Sequence, residues 1–194
     1  MEKDAVSLKC KVAVIGGSAG SLDVLMQVLP ELPVIHTFAL VIVLHRKSAE
    51  DSTLEELIAI KTATTVMETE DKVPLKPGYI YVAPSDYHLL FEKNDIISLD
   101  ASEKINYSRP SIDVAFESAA EAYGRAAVAI LLSGANADGT NGLMAIQKNS
   151  GISVVQKPET AVMPFMPRHA IENTKPDYVL TVPEILEFII SLDS

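Results

Sequence analysis

Residues 12 to 33, VAVIGGSAGSLDVLMQVLPELP, decide the fold. An apolar, mostly β-branched run with the character of a fully buried strand meets Gly16 and Gly17, then Ser18, then an Ala19-Gly20 step. Beyond it, apolar residues at Leu22, Leu25, Met26 and Leu29 form the stripe of a helix that buries one face. A second apolar run, FALVIVLH at 38–45, follows. Strand, helix and strand at this spacing make a βαβ unit, whose strands must run parallel with a right-handed crossover. Both strands therefore end on one edge of a sheet.

The rest of the chain extends the pattern. SAEDSTLEELIAI reads as a helix opened by Ser and Asp caps. From Thr64 to Leu99, short β-rich runs separated by KPG, PSD and KND turns predict hairpins, as an insertion or a sheet edge. SRPSIDVAFESAAEAYG returns to helix with Pro110 early, and AAVAILLSG is a third buried strand. DGTNGLMAIQKNSG predicts a turn and helix, ISVVQ a strand, PFMPRHAIENT a short helix, DYVLT a strand and VPEILEFIISL a terminal helix. Alternating strands and helices predict an α/β fold: a doubly wound, mainly parallel sheet with helices on both faces and a β-hairpin insertion, in one domain over residues 1–194.

Bulk composition narrows the function classes. With 48% hydrophobic and 22% charged residues the chain is built to fold. A formal net charge of −10 argues against a nonspecific nucleic-acid binder, because neutralising phosphates takes a surplus of Lys and Arg. Cys10 is the single cysteine, which excludes an intrachain disulfide and suits a reducing compartment; it reads as a small core residue beside the first strand. The opening MEKDAVSLKCK lacks a signal-peptide core, and no apolar run reaches the roughly 18 to 20 residues a membrane span requires. The expected location is the cytoplasm, without membrane insertion.

Ligands of such sheets bind at the carboxyl ends of the strands. Three residues with chemical potential fall there: Ser18 after the first strand, His45 at the end of the second, and Asp138 after the third buried strand. A serine hydroxyl becomes a useful nucleophile when a base accepts its proton, and the base works best when a carboxylate fixes its tautomer. Gly16-Gly17-Ser18-Ala19-Gly20 fits G-x-S-x-G, a sharp strand-to-helix turn with N–H groups placed to hold an oxyanion. The same glycines also suit a phosphate cradle or a capped tight turn, although G-x-G-x-x-G is broken by Ser18 and no Gly-Lys-Ser/Thr follows. The α/β-hydrolase order of Ser, Asp, His would instead recruit His169, which the pattern puts in a helix. His88 reads as a supporting or core residue and His36 as a loop residue. No His, Cys, Asp and Glu cluster has metal-ligand spacing, so neither metal nor cofactor is expected.

Together these motifs resemble the catalytic domain of the CheB-type chemotaxis protein-glutamate methylesterases. The likeness runs through VIGGSAGS, VIVLH, LKPGYIYVAPSDYHLLF, SRPSIDVAFESAA, AILLSGANADGTNGLMAI, VVQKPETAVMPFMPRHAI and a closing VPEI helix, almost the whole chain. It implies a Ser, His, Asp triad on Ser18, His45 and Asp138, with backbone N–H groups near Gly17 and Ala19 holding the oxyanion. Ala135, Arg109 and Asp113 would support the site. It further implies a carboxyl esterase that removes methyl groups from glutamate γ-methyl esters on the cytoplasmic domains of methyl-accepting chemotaxis receptors, with glutamine deamidation as a related activity. A receptor-binding module of the same fold with weakened catalysis is the alternative.

The chain also departs from the family's pattern. Ala19 stands beside the nucleophile where a threonine is usual; Ala135 replaces a methionine and Asn136 a glycine in the loop before Asp138; Phe165 replaces a glycine. Arg46-Lys47 after the histidine predicts a more basic substrate rim. The first strand starts about ten residues from Met1, which suggests an esterase without the family's phosphoacceptor receiver domain, with regulation then falling to a separate receiver protein.

Overall fold

The protein is described by a computed structural model over residues 9–46 and 53–194. In chain order the elements are β1 (Val12–Gly17), α1 (Ser21–Val28), β2 (Ala39–Leu44), α2 (Thr53–Lys61), β3 (Thr65–Glu68), β4 (Val73–Pro74), β5 (Tyr79–Val82), β6 (His88–Glu92), β7 (Ile96–Asp100), α3 (Ile112–Tyr123), β8 (Ala127–Leu131), α4 (Thr140–Lys148), β9 (Ile152–Gln156), α5 (Phe165–Thr174), β10 (Tyr178–Leu180) and α6 (Val182–Ser191). The caps expected before α2 and the residues before Lys9 lie outside the described residues.

Seven strands form the central sheet in the order β10-β9-β8-β1-β2-β5-β3, and every pairing is parallel. Both faces of β1 are covered, which is why it is apolar throughout. Side chains alternate across a strand, so Val12 and Val14 join Ala115, Phe116 and Ile146 beneath α3 and α4, while Ala13 and Ile15 join Leu25, Leu29 and Ile185 beneath α1 and α6. Burying a side chain such as Phe116 contributes about 2–3 kcal/mol. At Gly16 the helix α3 comes so near that an added Cβ would lie 2.4 Å from Ile112 Cγ2.

The stretch from Thr64 to Leu99 divides differently from the expected hairpins. β3 and β5 are parallel strands of the main sheet at its edge, so their connection is a crossover. Only β6 and β7 form a hairpin, joined by β4 into a small antiparallel sheet. Short strands carry too little periodicity to show whether their partners are adjacent or across a crossover. Pro110 also lies before α3, not inside it: Ser111 is the N-cap, its hydroxyl accepting from the Val114 N–H, and the Arg109–Pro110 bond is cis.

From β1 the chain passes to β2, then to β3 at the sheet edge and back to β5 between them, before it crosses to β8 on the other side of β1. That reversal opens a crevice at the carboxyl ends of β8, β1 and β2, where doubly wound sheets bind ligands.

Candidate active site

Ser18 is the first residue beyond β1, half-buried. Its N–H donates to the Ser133 carbonyl at 2.9 Å, and its carbonyl accepts the Ser21 N–H at 3.1 Å as well as the Ser21 hydroxyl. Gly20 completes the turn with φ 84°, a left-handed conformation that side-chain-bearing residues seldom adopt, and α1 starts directly after it. Ala19 is exposed at this helix entrance. Gly17 still belongs to the strand, paired with Leu44, and a Cβ there would lie 2.5 Å from Ser21 Cβ.

His45 extends the β1–β2 ladder by one residue, its N–H donating to the Gly17 carbonyl at 3.0 Å. Its Nε2 lies 2.7 Å from Asp138 Oδ2, with 11% of the imidazole side chain exposed and none of the carboxylate. Asp138 is held from several directions. Oδ2 also accepts the Ile112 N–H at 2.7 Å, and Oδ1 accepts the Asp113 N–H at 3.0 Å, the Gly139 N–H at 3.1 Å and the Ser111 hydroxyl at 3.1 Å. The carboxylate thus closes the amino end of α3, where free N–H groups and the helix dipole favour negative charge. Burial pushes its pKa up, but the bonds from His45 and from the Asp113 and Ile112 N–H groups outweigh this, and it lies below the ordinary carboxylate value.

An ionised Asp138 accepts a proton-bearing Nε2, so the neutral imidazole presents Nδ1 as its lone pair. Asn136 stands at that nitrogen: its Nδ2 is 3.4 Å from His45 Nδ1, while its Oδ1 accepts the Asp138 N–H at 3.0 Å. The crevice therefore combines a serine at a strand-to-helix turn, a base of defined tautomer and a buried carboxylate. That is the equipment of acyl transfer through a covalent intermediate.

The other predicted residues take distinct places. Asp113 braces the loop that carries Asp138: Oδ1 accepts the Gly139 and Gly142 N–H groups at 2.9 and 2.8 Å, and Oδ2 accepts from Asn106 Nδ2 at 3.0 Å. Burial, then the Asp138 charge, raise its pKa to about 6. Arg109 donates to the Ala101 and Ser102 carbonyls, holding the segment before α3. Ala135 is exposed on the loop before Asp138. His169 bonds Thr140 Oγ1 at 2.9 Å and stacks against Phe165, and His88 is a buried brace between the Glu103 carbonyl and the Ser111 N–H. His36 is an exposed loop residue whose N–H donates to Asp193.

The expected basic rim is corrected at Arg46. Its side chain is 4% exposed and its Nη1 lies 2.6 Å from Glu55 Oε1 and 2.9 Å from the Ala83 carbonyl, so a carboxylate of α2 offsets its charge. Lys47 lies outside the described residues.

Several contributors escaped the sequence reading. Ser133 donates to the Ala19 carbonyl at 2.7 Å and accepts the Met163 N–H at 2.9 Å, tying the Ser18 turn to the loop before α5. Gln156, wholly buried at the end of β9, accepts the Ser133 N–H. Asn106 also reaches Asp138 Oδ1 at 3.3 Å from a segment with left-handed backbone at Asn106 and Tyr107. Only the strand-end positions of Ser133 and Gln156 offered a signal; nothing local marks Asn106.

The family model of the CheB methylesterases matches residues 13–189. The chain belongs to the CheB methylesterase family. A putative protein-glutamate methylesterase/protein-glutamine glutaminase of Leptospira interrogans is 45% identical over 184 residues, with 93% of each chain covered. The protein-glutamate methylesterase/protein-glutamine glutaminase of Thermotoga maritima is 35% identical over 185 residues, covering 94% of this chain and 54% of that one. The crystal structure of the Thermotoga maritima CheB methylesterase catalytic domain superposes with a TM-score of 0.89 at 35% identity, covering 94% of this chain and 98% of the other. Within this CheB-type scaffold, the loop from Ser133 to Gly139 sets Asn136 beside His45 Nδ1 and leaves Ala135 exposed. No described helix is long and apolar enough to cross a membrane.

Proposed function

We propose that Ser18, His45 and Asp138 are the nucleophile, base and orienting carboxylate of a protein-glutamate methylesterase acting on the cytoplasmic domains of methyl-accepting chemotaxis-type receptors, with glutamine deamidation as a second reaction of the same site. The observation that carries this reading is the 2.7 Å contact between His45 Nε2 and the buried Asp138 carboxylate, at the strand end beside the Ser18 turn.

Ser18 Oγ attacks the carbonyl carbon of the γ-methyl ester and passes its proton to His45 Nδ1. Negative charge then builds on the former carbonyl oxygen, which lies toward the N–H groups at the exposed entrance of α1 near Ala19. Asp138, already ionised, stabilises the imidazolium without taking a proton. When the tetrahedral intermediate collapses, the methoxy oxygen takes the His45 proton and leaves as methanol. A water activated by His45 then hydrolyses the Ser18 acyl ester, releasing the glutamate side chain and restoring the serine. A glutamine amide in place of the ester would leave as ammonia by the same steps.

Exposed Val162, Met163 and Phe165 give the rim an apolar side suited to a receptor helix; an added Cβ on Gly20, in the nucleophile turn, would lie 2.7 Å from Val162 Cβ. Methanol release from methylated receptor cytoplasmic fragments, compared with Ser18→Ala, tests the reading. Release that depends on Ser18 supports it. Absence of release with receptor binding retained makes this a binding module of the same fold.

A further inference from the structure

Asn136 occupies the position at which the proposed mechanism most needs an unobstructed path, the open side of His45 Nδ1. Its orientation is determined by a hydrogen bond it makes elsewhere. Because its Oδ1 accepts the Asp138 N–H at 3.0 Å, the amide nitrogen is the end turned toward the imidazole, 3.4 Å from Nδ1. Loop and base are thereby joined twice to the same residue: Asp138 holds Nε2 with its carboxylate and holds Asn136 with its backbone.

An amide N–H and a serine hydroxyl seek the same lone pair. Nδ1 has one, so a bond from Asn136 is taken from Ser18. Once Nδ1 carries the serine's proton, two N–H groups face one another and the contact turns repulsive. The arrangement favours the neutral base of the resting enzyme and opposes the imidazolium that acyl transfer requires.

We propose that Asn136 is a positioning residue that competes with Ser18 for His45 Nδ1, holding the base neutral over a wider acid range at the expense of turnover. This inference rests on the triad reading above. Among the described residues, the charged and titratable groups around His45 and Asn136 are Asp138 on the loop after β8, with Asp113 and Glu117 of α3 behind it, and Arg46, which adjoins His45 and is paired with Glu55 of α2. Changing Asn136 alters the charge of none of them, and Asn136→Asp also keeps an acceptor for the Asp138 N–H.

The test compares wild type, Ser18→Ala, Asn136→Ala and Asn136→Asp by methanol release from a methylated receptor fragment across pH, together with the ¹⁵N shifts of the His45 ring. Asn136→Ala is expected to raise kcat about 3- to 10-fold and to move the acid limb of kcat/KM about 0.5 to 1 pH unit upward, the weight of one hydrogen bond. Asn136→Asp keeps an acceptor for the Asp138 N–H but turns an anion toward Nδ1; its acid limb moves further up and its activity at neutral pH falls roughly tenfold or more. A residue that merely braces the loop behaves oppositely, Ala losing activity and Asp restoring it with an unmoved pH profile, and that result overturns the proposal. So does a His45 Nδ1 shift that is the same in wild type and Asn136→Ala. Activity surviving in Ser18→Ala instead overturns the triad reading, and the ring shifts still report separately on Asn136.

Discussion

Asp138 closes the amino end of α3 by accepting the Ile112 N–H at 2.7 Å on the same Oδ2 that holds His45 Nε2. One carboxylate therefore serves both as a helix cap and as the partner of His45, and under the proposed triad removing its charge is expected to cost stability and turnover together. Asp138→Asn is expected to lower kcat roughly 10³-fold or more, since an amide disturbs the tautomer of His45. Asp138→Ala, which also leaves the helix N–H groups without an acceptor, is expected to lose about 2–4 kcal/mol of stability. Methanol release and urea unfolding of both variants check this; a dead but fully stable Asp138→Ala contradicts the capping role.

The raised Asp113 produces a defined dependence on pH. Its folded-state pKa of about 6 lies above the ordinary 3.8, so the folded protein binds a proton more readily than the unfolded chain. This group's contribution therefore increases as pH falls from above 6 toward 4 and is lost as pH rises through 6. Asp138 acts in the opposite sense, its lowered value contributing stability that is present above the ordinary carboxylate range and lost on strong acidification. Asp113→Asn is expected to flatten the slope of stability between pH 4 and 6, and urea midpoints at several pH values measure it. An unchanged slope rejects the Asp113 assignment.

Two glycines predict contrasting outcomes. A Cβ at Gly142 in α4 would lie 2.5 Å from Phe116 Cβ, against the rigid base of a fully buried ring, so Gly142→Ala is expected to destabilise by about 1–3 kcal/mol. A Cβ at Gly134 would meet the mobile end of Met166 at 2.5 Å, but also Ser18 Cβ at 3.0 Å. Met166 is fully buried but its thioether end is flexible, whereas the Ser18 backbone is bonded to Ser133 and Ser21. Gly134→Ala is expected to lower kcat about 10- to 100-fold through a displaced nucleophile, with a small change in melting temperature. Equal stability losses in both variants contradict this separation.

Cys10 tests the packing beneath the sheet. Burial pushes its thiol up to about 12, only partly offset by a hydrogen bond with the Val12 backbone, so the thiolate is scarce at neutral pH. Iodoacetamide is expected to label the native protein at least about a hundredfold more slowly than the urea-unfolded chain. Comparable rates indicate that the first strand opens readily.

What was legible in the sequence was what depends on neighbours along the chain. Buried strands announced themselves as apolar runs because both faces of a parallel sheet are covered, and the strand ends placed Ser18, His45 and Asp138 on one edge before any contact was known. The tertiary structure decided whatever depends on residues far apart. β3 and β5 pair in parallel, an outcome that a few short β-rich residues leave open. Arg46 reads as a rim charge until α2 brings Glu55 against it. Asp138 reads as a strand-end carboxylate, and its capping role emerges only when α3, 26 positions away in sequence, presents its N–H groups; Asn136 reads as a loop substitution until His45, 91 positions earlier, arrives beside it. Periodicity records which way a side chain faces; a hydrogen bond depends on what the fold then puts there.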